Sequence, residues 1–219
     1  MIDWLIALQR PWPFPKYRLI NPFLPTAGTR EARVFGASFH LDLSDLIQRD
    51  IYVGCYERNE TAVFRKILRP GNTLVDVGAN VGYFTALGSH IVGRTGRVIS
   101  VEPNPSGFAK LDSMVERSGI TWCSRFNIGL SDAIGHITLY EPPAEHHNLN
   151  STMNPVDNYK PIDVQIRTLD DLLDEQKIEC VDLIKVDVEG HEPKVFAGGS
   201  KFLSSGASGT SYASLTPTG

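Results

Sequence analysis

The segment Val75-Asp76-Val77-Gly78-Ala79-Asn80-Val81-Gly82 constrains the fold of this chain more than any other segment does. A short run of mainly β-branched residues ends at Val77 and leads into a glycine turn, after which apolar residues recur at helical spacing until Gly93. A buried strand that turns on glycine into a helix brings backbone close to a bound ligand. The segment therefore predicts a strand–loop–helix unit with a nucleotide-type ligand at its turn.

The spacing of the glycines separates this loop from two common phosphate-binding loops. A dinucleotide-binding loop has glycine at its first, third and sixth positions, but counted from Gly78 the last two are Asn80 and Tyr83. A P-loop ends in Gly-Lys-Ser/Thr, whereas Gly82 precedes Tyr83. Nicotinamide-dependent oxidoreductases are therefore disfavoured, and the loop suits a ligand without phosphates.

S-adenosylmethionine is a ligand of that kind, with an amino acid part, a sulfonium and an adenosine. A carboxylate such as Asp76 can hold the cationic part while the loop backbone passes beneath it. Glu102 ends the next predicted strand, where an acidic side chain can accept hydrogen bonds from both ribose hydroxyls. The alternative is that both carboxylates only face water at the ends of their strands.

Strand-like and helix-like segments alternate through the middle of the chain. Asn104 is placed to cap a helix that starts at Pro105, and Thr168 to cap a second one. Val181 to Val188 is a fourth buried strand. This order predicts an α/β fold of Rossmann-like type, a doubly wound, mostly parallel sheet with helices on both faces. The loops that leave the strands then lie along one edge, where ligands bind.

Composition divides the chain into three regions. Residues 1–49 are rich in proline and are predicted to be an irregular lead-in, and residues 50–203 form the Rossmann-like domain. Residues 204–219 carry serine, glycine and threonine, no charge and no apolar period, so they are predicted to be disordered. We therefore expect the sheet to be incomplete at its carboxyl-terminal end.

A second cluster of polar residues follows the fourth strand. Asp187, Glu189 and His191 crowd into its exit loop, on the same edge of the sheet as Gly78 and Glu102. A carboxylate or an imidazole in that position can accept a proton from a hydroxyl group. A strand end exposed to water is the alternative explanation of this cluster.

Charge and cysteine usage exclude several classes of protein. The 219 residues fit one domain with a net charge of −4 and scattered basic residues, which argues against binding to nucleic acid or to an anionic membrane. Three widely spaced cysteines indicate a reducing, cytoplasmic location. The apolar stretch Trp4 to Leu8 is too short to span a bilayer. His146 and His147 lack evident carboxylate partners, so an exposed pair is favoured over a metal site.

These motifs together resemble the FkbM-type methyltransferases, a branch of the class I S-adenosylmethionine-dependent enzymes. The matching segments cover about residues 50–203, and the block Lys185 to Glu192 is the most specific of them. The segments are Gly54-Cys55-Tyr56-Glu57, Arg69-Pro70-Gly71-Asn72, Val75 to Thr85, Val101-Glu102-Pro103-Asn104-Pro105, Gly129-Leu130-Ser131-Asp132, Thr168-Leu169-Asp170 and Leu183 to Glu192.

The resemblance implies O-methylation of a sugar or another small hydroxylated molecule, and it implies a role for each matching residue. Asp76, Gly78, Asn80 and Gly82 would cradle the methionine part of the cofactor. Glu102 would accept the ribose hydroxyls, Asp132 would meet the adenine amino group, and Glu57 would help to close the cofactor site. Asp187, Glu189 and His191 would face the methyl acceptor.

The resemblance fades after Leu203, although the family's domain continues beyond its fourth strand. We therefore predict that Val181 to Val188 is an edge strand, and that the chain self-associates or pairs with another chain. The alternative function is that of a non-catalytic Rossmann-like module that binds cofactor or a partner chain without turnover.

Overall fold

The structure is a computed structural model that describes residues 26–142, 157–188 and 190–206, together with the backbone of 208–213. Strands and helices alternate from the third strand to the fifth, and the fifth to the eighth strands then follow one another before the next helix. In chain order the elements are β1 (Thr29–Val34), β2 (Ala37–Asp42), α1 (Leu46–Val53), α2 (Arg58–Ile67), β3 (Thr73–Val77), α3 (Tyr83–Val92), β4 (Arg97–Val101), α4 (Pro105–Arg117), β5 (Cys123–Phe126), β6 (Gly129–Leu130), β7 (Gly135–Glu141), β8 (Lys160–Arg167), α5 (Leu169–Glu175), β9 (Val181–Val186), α6 (Glu192–Ala197), α7 (Ser200–Ser204) and β10 (Ser208–Ala213).

The central sheet has the strand order β10-β9-β3-β4-β5, and its neighbouring strands run parallel. Val75 in β3 is paired with Ile184 in β9 on one side and with Ile99 in β4 on the other. The chain thus moves outward from β3 in one direction and later returns to its other side. Such a reversal of strand order is where open α/β sheets bind their ligands, at the carboxyl ends of the strands.

Alternate residues of the strands pack on opposite faces of this sheet. Leu74 and Leu183 belong to one buried cluster, with Phe84 of α3 and Leu111 of α4. Val75 and Ile184 belong to the second, with side chains from α5 and α6, among them Leu172 and Val195. The strands β3 and β9 are therefore apolar on both faces, as covered parallel strands are. The predicted fold, a mostly parallel sheet with helices on both faces, is confirmed.

The amino-terminal region is more regular than the sequence predicts. Within residues 26–49, β1 and β2 form an antiparallel hairpin, and α1 begins at Leu46. Phe35 and Gly36 at the turn both have positive φ, 52° and 83°, which matches the twist of a two-residue hairpin. Ala37, Phe39 and Leu41 of β2 alternate into the core. The prediction of an irregular lead-in is therefore wrong for this part, while residues 1–25 lie outside the described range.

The carboxyl-terminal region also differs from the prediction. Ser208–Ala213 forms β10, which pairs in parallel with β9 from Val181 to Val186. Backbone pairing along an open strand edge does not require an apolar side-chain period, so the composition of the tail could not reveal it. Disorder was the wrong expectation for residues 208–213. β9 is accordingly an inner strand, and the prediction that it forms an edge is wrong too.

A smaller sheet, with the order β6-β8-β7, lies beside the central one. β7 and β8 are antiparallel, and β6 pairs in parallel with β8 over two residues. His146 and His147 fall outside the described residues. Across 26–142, 157–188 and 190–206, the structure contains no group of three His, Cys, Asp or Glu side chains able to hold a metal ion. In the same ranges, every helix is too short or too polar to cross a bilayer.

Candidate functional site

A cavity of about 780 Å³ opens at the carboxyl ends of β3, β4 and β9, where the strand order reverses. Its volume lies within the range of pockets that hold small molecules and cofactors. Its walls come from the β3–α3 loop, the end of β4, the β9–α6 loop, the β6–β8 sheet and the segment before α2. The polar and loop residues that line it include Asp42, Asp45, Tyr56, Glu57, Gly78, Asn80, Glu102, Lys185, Asp187 and His191.

Gly78 lets the β3 loop lie directly against the exit of β9. Its φ is +76°, and a Cβ atom there would collide with the carbonyl oxygen of Asp187. The Asp187 N–H donates to the carbonyl of Val77 at 3.0 Å, so a hydrogen bond joins the two loops next to this contact. The left-handed φ and the lack of space both require glycine at this position. Gly78 therefore fixes the distance between the glycine loop and the Asp187 loop.

Gly82 has a different function in the structure. It precedes α3 with a φ of +92°, and a Cβ atom there would lie 2.6 Å from Met114 and 2.8 Å from Leu111. Both neighbours belong to α4, so the glycine permits close packing of two helices. Gly82 is not among the residues that line the cavity.

Glu102 ties the end of β4 to the glycine loop. Its Oε2 accepts a hydrogen bond from the Asn80 N–H at 2.7 Å, and its Oε1 accepts one from the Asn104 N–H at 2.8 Å. Burial raises the pKa of Glu102 to about 7, although these two backbone hydrogen bonds oppose the shift. Asn80 supplies its N–H from a positive φ of 48°. The carboxylate lines the cavity with its backbone partners already in place.

A row of buried polar side chains, Asp76, Thr85 and Lys185, lies beneath α3, behind the glycine loop. Asp76 and Lys185 are register partners on β3 and β9, and Asp76 is fully buried. Thr85 of α3 donates a hydrogen bond to Oδ2 of Asp76 at 2.7 Å, while Oδ1 has no hydrogen-bond partner among the described residues. Burial raises the pKa of Asp76, and the Lys185 ammonium opposes this. The carboxylate thus lies behind the loop and does not line the cavity.

Lys185 connects this row to the cavity wall. Its Nζ donates to Oδ2 of Asp187 at 3.0 Å and lies 4.9 Å from the centre of the Phe84 ring. The lysine side chain is 2% exposed, whereas that of Asp187 is 20% exposed. A buried cation is tolerated when carboxylates and an aromatic face surround it. Asp187 therefore presents a carboxylate to the cavity that is anchored from behind.

Glu57 brings a further carboxylate to the cavity, from the segment before α2. It adopts a left-handed conformation, with φ 35° and ψ 58°, and its Oε2 is buried with no hydrogen-bond partner among the described residues. Loss of solvent raises the pKa of Glu57, and Lys185 works in the opposite direction. The neighbouring Tyr56 also lines the cavity, and burial raises the pKa of its phenol.

His191 lies at the start of α6, on the wall beyond Asp187. Its ring is 8% exposed, and its Nε2 lies 3.0 Å from Oγ of Ser131. Burial, aided by Lys194, lowers the pKa of His191. Ser131 in turn donates to Oδ1 of Asp132 at 2.9 Å, and Asp132 is exposed and does not line the cavity.

The structure therefore brings six of the ten predicted site residues to one cavity. Asp76 and Gly82 lie behind it, and Asp132 lies outside it on the surface. Glu189 is outside the described residues. The six that line the cavity are Glu57, Gly78, Asn80, Glu102, Asp187 and His191.

Sequence reasoning missed several residues of the wall, in particular Asp42 and Asp45 from the hairpin and the turn before α1. Asp45 caps α1 by accepting a hydrogen bond from the Gln48 N–H at 3.0 Å, and Gln48 Nε2 donates to its other oxygen at 2.7 Å. An Asp followed three residues later by Gln is a helix-start signal, so α1 was recognisable from sequence. Tyr56 and Lys185 stood within recognised motifs without an assigned role.

Two of the known proteins that the chain is similar to are named as methyltransferases. The chain is 28% identical to the hexuronic acid methyltransferase AglP of Haloferax volcanii, across 68% of this chain and 59% of the relative. It is 27% identical to the 2-O-methyltransferase NoeI of Sinorhizobium fredii, across 62% of this chain and 60% of the relative. The chain thus spans about three fifths of the length of either relative.

Among solved structures, the methyltransferase FkbM of Methylobacillus flagellatus is similar, with 17% identity and a TM-score of 0.44. That similarity covers 74% of this chain and 42% of the other. The sequence profile of the "Methyltransferase FkbM domain" matches residues 76–207, which is more than half of the chain. The match begins at Asp76, before the glycine loop, and extends beyond β9, so it includes the cavity residues Gly78, Glu102 and Asp187. The chain therefore belongs to the FkbM methyltransferase family.

Proposed function

We propose that this chain transfers the methyl group of S-adenosylmethionine to a hydroxyl oxygen of a small molecule, with sugars as the first class of acceptor. The observation that carries the proposal is the meeting of Glu57, Glu102 and Asp187 around one cavity beside the Gly78 loop. Family membership supports methyl transfer. The names of the two relatives, a hexuronic acid methyltransferase and a 2-O-methyltransferase, support a sugar acceptor.

The cavity residues fit a cationic cofactor with a ribose. Glu57 and Asp187 supply negative charge, and only Asp187 has Lys185 as an ion-pair partner. The buried Oε2 of Glu57 is an acceptor that still has room for a donor, such as the ammonium group of an amino acid. Glu102 offers the remaining lone pairs of both carboxylate oxygens to vicinal hydroxyls. Because Gly78 has no side chain, only backbone lies between the carboxylates of Glu57 and Asp187 and that of Glu102.

The chemistry that S-adenosylmethionine supplies is an electrophilic methyl group on a sulfonium. The task of the chain is to align an acceptor hydroxyl with that methyl and to remove the hydroxyl proton. Asp187 is suited to orient the hydroxyl, because Lys185 holds its Oδ2 in place. His191 is suited to take a proton, because burial keeps its imidazole neutral. Alignment supplies much of the acceleration in such a displacement.

The proposal is tested by measuring cofactor binding and methyl transfer separately. Calorimetry with S-adenosylhomocysteine reports binding, and radiolabelled S-adenosylmethionine reports transfer to a panel of uronic acids, neutral sugars and amino sugars. We expect Glu102→Ala to weaken binding about 10- to 100-fold, as the loss of a charge-assisted hydrogen bond does. Asp187→Asn should instead lower kcat, with little change in cofactor affinity.

Asp182→Asn is the matched control for Asp187→Asn. Asp182 belongs to the same strand but lies at its far end, where Oδ2 accepts the Thr73 N–H at 2.7 Å, and asparagine can still accept that bond. Binding without transfer to any acceptor would favour the non-catalytic module. Retention of a nicotinamide cofactor by the purified protein would instead revive the oxidoreductase alternative.

A further inference from the structure

Three residues form a hydrogen-bonded path from the cavity wall to the surface. Nε2 of His191 lies 3.0 Å from Oγ of Ser131, and Ser131 Oγ lies 2.9 Å from Oδ1 of Asp132. His191 and Ser131 are 8% and 2% exposed, whereas Asp132 is exposed to solvent. The serine is therefore a buried link between an imidazole on the cavity and a carboxylate in water.

The backbone holds this serine in place. The Ser131 N–H donates to the carbonyl of Arg167 at 2.8 Å, which continues the pairing of β6 with β8. A Cβ atom on Gly198, at the end of α6, would collide with the Ser131 carbonyl oxygen. The loop after β6 is thus pressed against α6, the helix that His191 starts. The distance between Ser131 and His191 is set by two elements that pack closely.

Donor and acceptor chemistry fixes where the protons lie along the path. A serine hydroxyl has one hydrogen, and an ionised carboxylate can only accept, so Ser131 gives its hydrogen to Asp132. Hydrogen bonding keeps the pKa of Asp132 low, so this carboxylate is ionised. Ser131 can then only accept from His191, whose Nε2 must carry a hydrogen. A neutral imidazole protonated on Nε2 leaves the lone pair of Nδ1 free.

We propose that Ser131 and Asp132 are positioning residues that hold His191 with its proton on Nε2, so that Nδ1 is the base for the acceptor hydroxyl. The proposal rests on the proposed methyl transfer. It gives Asp132 a role outside the cavity, in place of the contact with adenine that the family resemblance implies. Among the described residues, no hydrogen bond occupies Nδ1 of His191.

The proton balance of the reaction agrees with this arrangement. The acceptor oxygen bonds to the methyl carbon as the carbon–sulfur bond breaks and leaves its electron pair on sulfur. The hydroxyl proton passes to Nδ1, and His191 becomes an imidazolium that donates from Nε2 to Ser131. Asp132 stabilises this positive charge through the serine, and the imidazolium returns the proton to water after the product leaves.

The charged groups around His191 act in both directions. Asp132 and Glu192 favour the imidazolium, while burial and Lys194 oppose it. Asp187 and Lys185, which form an ion pair at the end of β9, line the same cavity as His191. Burial and Lys194 outweigh the two carboxylates, so the pKa of His191 lies below its ordinary value.

The tautomer is measured directly by two-bond ¹H–¹⁵N correlation spectra of protein labelled with ¹⁵N-histidine, with His191 assigned from the spectrum of His191→Gln. We expect the Nε2–H tautomer in the unmodified chain and a mixture of tautomers in Ser131→Ala and Asp132→Ala. Both variants should lower the titration midpoint of His191 and reduce kcat about 10- to 100-fold. This loss does not exceed the total contribution of a base, which is about 10²–10⁴-fold. Asp132→Glu should restore both values.

Asp163→Ala is the matched control, because Asp163 also accepts from a histidine, Nδ1 of His136 at 2.7 Å, on the exposed β7–β8 pair. It should leave the His191 spectrum and kcat unchanged. An Nδ1–H tautomer of His191 in the unmodified chain, or full kcat in Ser131→Ala and Asp132→Ala, would overturn the inference. If cofactor binds and no acceptor is methylated while the tautomer is as expected, the proposed function fails and the positioning of His191 stands.

Discussion

The Nζ atom of Lys185 lies 3.0 Å from Oδ2 of Asp187. The register partner of Lys185 on the neighbouring strand β3 is Asp76, which is fully buried. One ammonium group, itself 2% exposed, thus pairs with Asp187 on the cavity wall and favours the charged form of Asp76 behind the glycine loop. Removal of that cation would leave buried carboxylates without compensation, which is far more costly than the loss of an exposed pair. The glycine loop and the Asp187 loop therefore share one electrostatic support.

Lys185→Met should lower the free energy of unfolding by about 3–5 kcal/mol, as the removal of one partner from a buried ion pair does. Urea denaturation followed by circular dichroism measures this change. The double variant Lys185→Met/Asp76→Asn should recover part of the loss, because the buried charge is then removed as well. Lys201→Met is the control: Lys201 pairs with Asp174 at 2.8 Å on the surface, and its loss should leave stability almost unchanged.

Gly78→Ala should destabilise the chain and abolish cofactor binding, because the new Cβ would force the Asp187 carbonyl away from the loop. Gly36→Ala separates this clash from the cost of the backbone conformation. Gly36 has a φ of +83°, close to the +76° of Gly78, but no atom lies within 4 Å of its Cβ position. It should cost only the left-handed backbone penalty of about 1–2 kcal/mol. Equal melting temperatures for the two variants would contradict the close approach of the two loops.

Glu102 should make the chain less stable as the pH rises from about 4.5 to about 7. Its pKa is about 7 in the folded chain and about 4.3 in an unfolded one, so the folded state binds more protons across this window. Stability falls with pH wherever the folded state binds more protons, here by about 4 kcal/mol at most. Glu102→Gln should remove this slope, although it also loses one backbone hydrogen bond at every pH. Chemical denaturation at pH 5 and pH 8 measures the slope; equal slopes in the two proteins would contradict the shift.

Shortening the chain after Gly206 should expose the outer edge of β9. The unpaired backbone groups of a buried-type strand then become available to a second copy of the chain, so self-association is expected. Analytical ultracentrifugation of this variant, with a chain ending at Ala213 as control, measures the effect. A monodisperse monomer without β10 would show that its pairing does not protect β9.

The sequence predicted the elements whose signals are local. Glu102 was predicted to end a strand, and β4 ends at Val101, the residue before it. Asn104 was predicted to cap a helix, and it caps the one that begins at Pro105. The β1–β2 hairpin escaped notice because β1 carries Arg30, Glu31 and Arg33 and is mostly exposed, so it lacks a clear apolar alternation. β10 escaped notice because its position depends on an edge that β9 offers it, which is a tertiary property.

In the candidate site, too, residues with local sequence signals were predicted, whereas contacts that depend on the tertiary structure were not. Gly78 and Glu102 were recognised because each stands in a contiguous motif at a strand end. The pairing of Asp76 with Lys185 depends on which strands become neighbours, and it could not be read from residues that are so far apart in the chain. Ser131 and His191 are separated by 60 residues and meet only because the loop after β6 packs on α6. Their hydrogen bond was thus invisible to any sequence pattern.

The position of β9 beside β3 has a consequence for how the chain acquires its cavity during synthesis. The Thr73 N–H donates to the carboxylate of Asp182, which lies 109 residues further along the chain. At a synthesis rate of about 5–20 residues per second, Asp182 is added roughly 5–20 s after Thr73. Until then the sheet lacks β9, so the glycine loop has neither the contact of Gly78 with Asp187 nor the pairing of Asp76 with Lys185. The β3–β4 side of the cavity is thus synthesised early and completed late, when β9 pairs with β3.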